Sequence, residues 1–216
     1  MRKRRNFNRS IQDVVLIAGS LLGVLALVSI FLGNNNTTSN PDVWENITTP
    51  STVSNEVKEY RPLVESYAQQ FGVSDYTNVI LAIMMQESSG QGGDPMQASE
   101  SYCGEVGCID NPELSIKQGV DYFSQTLEAA DGDLALAVQS YNFGKGFINY
   151  VEDQNSSYSQ EMAIDFSQEM YQETTDQANY TCLREGAEQY NACYGDIYYV
   201  PSVMSYHDTI QVESSS

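Results

Sequence analysis

Two acidic residues stand where proton chemistry would need them. Glu87 ends an apolar run from Val79 to Met85 and opens onto a glycine-rich loop, Gly90-Gln91-Gly92-Gly93-Asp94-Pro95-Met96-Gln97. A carboxylic acid set against packed apolar side chains loses hydration, so its charged form is disfavoured and its pKa rises. Such a group keeps its proton near neutral pH and can give it to a leaving oxygen. Asp94 supplies a second carboxylate seven residues on. A proton donor paired with a carboxylate that activates water or stabilises positive charge is the equipment of glycoside cleavage. Asp94 has a competing use, because Gly-Gly-Asp-Pro is also good turn chemistry.

A third segment, Ser140-Tyr141-Asn142-Phe143-Gly144-Lys145-Gly146, closes a later apolar helical pattern. In order, Gln86-Glu87-Ser88-Ser89-Gly90, Gly93-Asp94-Pro95-Met96-Gln97 and this Tyr-Asn-x-Gly segment resemble the CwlT-like lysozymes. That family lies within the lysozyme-like and lytic transglycosylase superfamily. It includes pneumococcal vaccine antigen A and the muramidase domains of conjugative-element cell-wall hydrolases. The resemblance covers roughly residues 56 to 205 and implies a mostly α, goose-type lysozyme-like domain acting on peptidoglycan glycan strands.

Carried over residue by residue, the resemblance makes Glu87 the general acid and Asp94 the second carboxylate. Gln97 becomes a residue lining the cleft, and Tyr141 and Asn142 the pair facing the acid. Ser88 becomes a residue that holds the sugar or orients Glu87. Hydrolysis of the MurNAc-GlcNAc β-1,4 bond would make the protein an N-acetylmuramidase. With Asp94 turned away, the sugar's own 6-hydroxyl would close a 1,6-anhydro ring, as in lytic transglycosylases. A non-catalytic glycan-binding protein of the envelope is the third reading. No cofactor is called for.

The elements that must position these residues are helical. Glu56 to Phe71 carries apolar residues at steps of three and four and predicts one helix. Asp75 is placed to cap a second, running to Glu87 and apolar on most faces, hence buried. Asn111-Pro112-Glu113 opens a third, Asp133 a fourth from Leu134 to Tyr141, and Ser159 to Gln177 forms a fifth. Ile197 to Val200 is the one short strand predicted.

Ahead of this domain, Arg2, Lys3, Arg4, Arg5 and Arg9 precede an uncharged apolar stretch of 19 residues, Val14 to Leu32. At about 1.5 Å per residue this nearly spans the roughly 30 Å hydrocarbon core. The expected organisation is a basic cytoplasmic tail (1–10), a transmembrane anchor (11–33) and a linker rich in Asn, Thr, Ser and Pro (34–55). The catalytic domain (56–206) and a tail (207–216) follow. The basic flank puts the domain outside the cell membrane, on the wall side. A cleaved signal peptide competes, but the apolar core is longer than usual and no A-x-A-like site follows it.

Residues 1–33 hold five basic side chains and one acid, whereas 34–216 hold five basic side chains and 28 acids. So acidic a domain excludes nucleic acid as a partner, because phosphate contacts need Lys and Arg. The expected partners are peptidoglycan, the membrane through the anchor, and envelope or conjugation machinery. Four cysteines, Cys103, Cys108, Cys182 and Cys193, lie beyond the anchor and suggest two disulfides. Three connectivities are open, the local pairs being the simplest. The spacings C-x4-C and C-x10-C with one histidine, His207, suit a metal site poorly.

Overall fold

A computed structural model of the chain describes residues 52–175, 177 and 181–215. The basic tail, the anchor and nearly all of the linker lie outside the described residues. Among the described residues, no helix is long and apolar enough to cross a membrane.

The described residues form nine α-helices and two 3₁₀ turns, with no strand among them. The helices are α1 (Asn55–Glu59), α2 (Arg61–Gln70), α3 (Thr77–Ser88), α4 (Ser99–Cys103), α5 (Pro112–Ala129), α6 (Leu134–Phe143), α7 (Gly146–Asp153), α8 (Gln160–Glu173) and α9 (Tyr199–Ser214). The 3₁₀ turns are Ser74–Tyr76 and Glu188–Tyr190.

α3 is the centre of the fold. Val79, Ile80, Leu81, Ala82, Ile83 and Met84 are all buried, so every face of this stretch is covered. α9 lies along one side, and α1 and α2 cover others. Each fully buried aliphatic side chain contributes about 1.5–3 kcal/mol relative to exposure, which fixes α3 as a rigid post. A second layer forms where α5 packs on α6 and α2. An aromatic cluster of Phe143, Phe147, Tyr150, Phe166 and Tyr194 ties α6, α7 and α8 together, with ring centroids 5.1–6.4 Å apart.

The helix starts at Asn111, Asp133 and Ser159 are as expected: each side chain accepts from the backbone N–H three residues on. Several expectations are corrected. The predicted helix from Glu56 to Phe71 is broken at Tyr60, because Pro62 has no N–H to give to Lys58. Asp75 does not cap α3; it lies in the 3₁₀ turn, where Thr77 Oγ1 donates to the Ser74 carbonyl instead. α8 stops at Glu173, four residues short of the expected end. Ile197 to Val200 is a turn and the start of α9, not a strand, and the chain beyond 206 is not a tail but continues α9 to Ser214. The domain also begins earlier than residue 56. Val53 is buried, and Ser54 caps α1 by accepting from Val57 N.

Gly119 lets α5 approach the loop that follows α3. A Cβ there would lie 2.6 Å from Met96 Cβ and 2.8 Å from its Cγ, so the loop itself would have to move. Gly119→Ala gains about 1 kcal/mol of helix propensity but forces an overpacked contact worth about 1–3 kcal/mol. The expected outcome is a lower Tm; an unchanged Tm would show that the Met96 loop yields freely.

Candidate active site

Glu87 occupies the last turn of α3, where the buried stretch gives way to partly open positions. The helix stops because Ser89 adopts φ 58° and Gly90 φ 78°, turning the chain sharply away. Glu87 therefore projects from the end of a fixed post. Its Oε1 accepts a hydrogen bond of 2.5 Å from the Tyr199 hydroxyl. Burial pushes the Glu87 pKa up to about 7; the Tyr199 bond opposes this, and the charges of Asp196 and Asp94 add to it. Tyr199 is itself buried, and burial beside Glu87 holds its phenol well above the usual value, so it remains a donor.

Asp94 is held differently. Its Oδ1 accepts from Ala98 N at 2.9 Å and Ser115 Oγ at 2.6 Å; its Oδ2 accepts from Ser99 N at 3.0 Å and Ser99 Oγ at 2.6 Å. A carboxylate has about four acceptor positions, and all four are occupied. Burial alone would raise the Asp94 pKa, but these hydrogen bonds outweigh it and lower it below the usual value. The carboxylate ties α4 to α5 and shapes the loop between α3 and α4. Ser115 Oγ also receives Met96 N at 2.9 Å.

The remaining expected residues cluster around the same loop, with roles that differ in part from those expected. The Ser88 hydroxyl donates to the Pro95 carbonyl at 2.7 Å and accepts from Gly90 N and Gln91 N. All three hydrogen bonds of this hydroxyl brace the loop that follows Glu87. Tyr141 is 9% exposed, and its hydroxyl donates to the Met96 carbonyl at 2.9 Å rather than to Glu87. Asn142 Oδ1 accepts from Asp196 N at 2.8 Å. Gln97 is exposed, with φ 49°, and its Nε2 donates to the Asp94 carbonyl.

Gln97, Tyr141 and Asn142 do share one hollow. With Glu100, Ser101, Tyr122, Phe143, Gly144 and Tyr194 they line a cavity of about 280 Å³. Glu87 is not among its lining residues, so the hollow lies beside the acid rather than over it. Lys145 sits 5.5 Å from the centre of the Tyr122 ring and donates to Gln125. The cysteines pair as Cys103–Cys108 and Cys182–Cys193, the local arrangement. One bridge follows Glu100 and Ser101 in the chain and the other precedes Tyr194, so each closes a loop next to residues that line the hollow. Among the described residues, no group of three or more His, Cys, Asp or Glu could hold a metal ion.

Sequence reasoning missed Tyr199 and Asp196. The signal was present as a surplus of tyrosine before residue 206, but no periodic pattern marked which tyrosine turns inward.

Helices converging on one hydrogen-bonded carboxyl at the end of a buried post place the molecule among the lysozyme-like proteins. The family model described as Lysozyme-like matches residues 54–207, and the chain belongs to that family. It is 32% identical over 215 residues to the uncharacterized membrane protein YocA of Bacillus subtilis (strain 168), an alignment covering 98% of this chain and 92% of that one. It is 44% identical over 115 residues to the bifunctional muramidase/DL-endopeptidase CwlT of the same organism, covering 53% of this chain but 35% of CwlT. Pneumococcal vaccine antigen A of Streptococcus pneumoniae serotype 4 is 30% identical over 117 residues, 53% of this chain and 57% of its own. Among solved structures, a protein similar to lipoprotein, of the NLP/P60 family, from Staphylococcus aureus Mu50 superposes with a TM-score of 0.63 at 39% identity. That match covers 72% of this chain and 54% of that one.

Proposed function

We propose that this protein is an N-acetylmuramidase that hydrolyses the MurNAc-GlcNAc β-1,4 bonds of peptidoglycan, with Glu87 as general acid. The observation that carries the reading is Glu87 itself, a carboxyl held near pKa 7 by burial and aimed by Tyr199. The printed name of CwlT, a muramidase, supports the substrate class. Glu87 gives its proton to the glycosidic oxygen as the bond to muramic acid C1 breaks. Positive charge develops on the ring, and water then adds to C1 while its proton returns to the Glu87 carboxylate. Gln97, Tyr141 and Asn142 line the hollow beside this centre and would hold the adjoining sugar.

One observation favours a second reading. With all four acceptor positions of Asp94 occupied, no lone pair is left to activate water. Glu87 is then the one base in either reading, and the sugar's own 6-hydroxyl, already held in the same substrate, can take the place of water at C1 and give a 1,6-anhydro product. Digesting purified peptidoglycan and weighing the fragments separates the two, since hydrolysis adds one water to each cut. Reducing ends are expected; a digest containing only anhydro-muropeptides would overturn hydrolysis. In either case kcat/KM should fall as pH rises through about 7, where Glu87 loses its proton.

The residues ahead of Thr52 are proposed to form a basic tail, a single-pass anchor at 11–33 and a spacer, placing the domain on the wall side of the membrane. The printed name of YocA, a membrane protein aligned over nearly the whole chain, supports this. The two disulfides suit an oxidising compartment. Contacts with envelope or conjugation machinery are compatible with that placement.

A further inference from the structure

Glu87 and Asn142 are both reached, directly or through a backbone group, from a short segment that enters the site from the Cys182–Cys193 loop. At its centre is Asp196, which is 3% exposed. Its backbone N–H donates to Asn142 Oδ1 at 2.8 Å, and its carbonyl accepts from Gln139 Nε2 at 2.9 Å and from Tyr199 N at 3.2 Å. Its Oδ1 accepts from Tyr198 N at 2.9 Å. The residue before it, Gly195, has φ 61°, and a Cβ there would lie 2.7 Å from both Asn142 Oδ1 and Phe143 Cδ1. This segment therefore lies flush against the end of α6 and sets where α9 begins. Tyr199, whose hydroxyl bonds Glu87, is the first residue of α9.

The remaining carboxylate oxygen of Asp196 is held from outside. Arg184, two residues after Cys182, donates from Nε to Asp196 Oδ2 at 2.8 Å and from Nη2 to Ser202 Oγ at 3.1 Å. One guanidinium thus spans the disulfide loop, the buried acid and the first turns of α9. The Arg184 side chain is 36% exposed, the Asp196 side chain 4%. A buried carboxylate without its partner is a costly group, so this contact is not a surface ornament.

We infer that Arg184 is a positioning residue of the site, acting through Asp196 to fix the Tyr199 hydroxyl and to set the charge that Glu87 faces. The inference deepens the reading of Glu87 as the general acid and rests on it. The groups around Glu87 are Tyr199 from α9, Asp196 ahead of α9, Asp94 from the loop after α3 and Tyr141 from α6. Asp196 faces Glu87, Tyr158, Tyr198 and Tyr199, and Arg184 is its ion-pair partner. Arg184 therefore compensates a carboxylate whose charge otherwise falls on Glu87 and on phenols.

The signs follow. Removing the guanidinium leaves the Asp196 charge uncompensated, which makes Glu87 harder to deprotonate. Replacing Asp196 with asparagine removes that charge, which makes Glu87 easier to deprotonate, while the side chain can still accept from Tyr198 N. Arg184→Lys keeps the charge but loses the fork that also reaches Ser202.

The experiment follows the titration of the Glu87 side-chain carboxyl carbon by NMR in the wild type, Arg184→Met, Arg184→Lys and Asp196→Asn, which needs no turnover. The alkaline limb of kcat/KM on peptidoglycan is measured alongside. Arg184→Met should raise the Glu87 midpoint by about half a pH unit. Asp196→Asn should lower it by a similar amount, and Arg184→Lys should stay near the wild type. Midpoints that do not move, or that move together, would overturn the inference and leave Arg184 a purely structural brace. Should Arg184→Met fail to fold, the downward shift in Asp196→Asn against a near-wild-type Arg184→Lys still decides it. Opposite shifts by NMR without any glycan cleavage would overturn the reading of Glu87 as general acid, and the catalytic part of the inference with it. The electrostatic coupling would still stand.

Discussion

Glu87→Gln is expected to reduce peptidoglycan cleavage by about 10²–10⁴-fold, the contribution of a positioned general acid, while leaving the fold intact. Glutamine keeps the shape, and its carbonyl can still accept from Tyr199, but it has no proton to give. The same substitution should change stability with a definite sign. The folded-state pKa of Glu87 is raised from 4.5 to about 7. Its contribution is therefore fully present below about pH 4.5 and is lost as pH rises through about 7. Such a shift corresponds to about 3 kcal/mol at 1.36 kcal/mol per unit. Because Glu87 is partly open to solvent, about 1–2 kcal/mol is the expected share. Thermal unfolding should find the variant more stable than the wild type at pH 8 and nearly equal at pH 4. A loss of both activity and stability at pH 8 would sink this account of Glu87, because it would make the carboxylate a structural prop.

Asp94→Asn should be the other damaging change, through a different route. An amide can accept at one end only, so two of the four donors now held by Asp94 would meet an NH₂ group. Leaving buried donors unpaired costs about 1–3 kcal/mol each. The loop from Asp94 to Ser99 would loosen, and with it Gln97 and the Met96 carbonyl that anchors Tyr141. Activity and Tm should therefore fall together. Ser115→Ala makes the test sharp, because it removes one hydrogen bond to Asp94 and the Met96 N–H acceptor without touching any charge. A partial fall in both quantities is expected. Full activity in Ser115→Ala beside a dead but stable Asp94→Asn would instead assign Asp94 to the chemistry.

What could be read in the sequence was local. Asn111, Asp133 and Ser159 announce their helices because a cap needs only its own side chain and the next turn. α3 announces itself as buried because its apolar residues leave no polar face. The Glu87 turn and the Tyr141-Asn142 segment were visible as chemistry for the same reason. α9 was not. The residues around its start, Ile197 to Val200, are β-branched or aromatic, and Pro201 follows two residues into the helix, where a missing N–H is harmless. Only Tyr199, Val200, Val203 and Ile210 are buried along it, too sparse a pattern to predict a helix of 16 residues. Packing against α3 decides the matter, and that contact is invisible to local periodicity. Asp94 carried two readings for a related reason: both turn chemistry and acid chemistry call for the same residue, and only its neighbours bear on which use it has.

The buried Val53 and the Ser54 cap have a consequence for reach. Ser54 Oγ donates to the Ser89 carbonyl at 2.7 Å, two residues past Glu87, so the polypeptide arrives directly behind the acid. A soluble fragment begun at residue 55 would lose this clasp. If residues 34–51 serve as the proposed spacer, 18 residues can extend at most about 60 Å. With no slack between the end of that spacer and Glu87, its contour length sets the depth of wall the site can touch. Lengthening the spacer, rather than altering the cleft, would then be the way to move the zone of cutting outward.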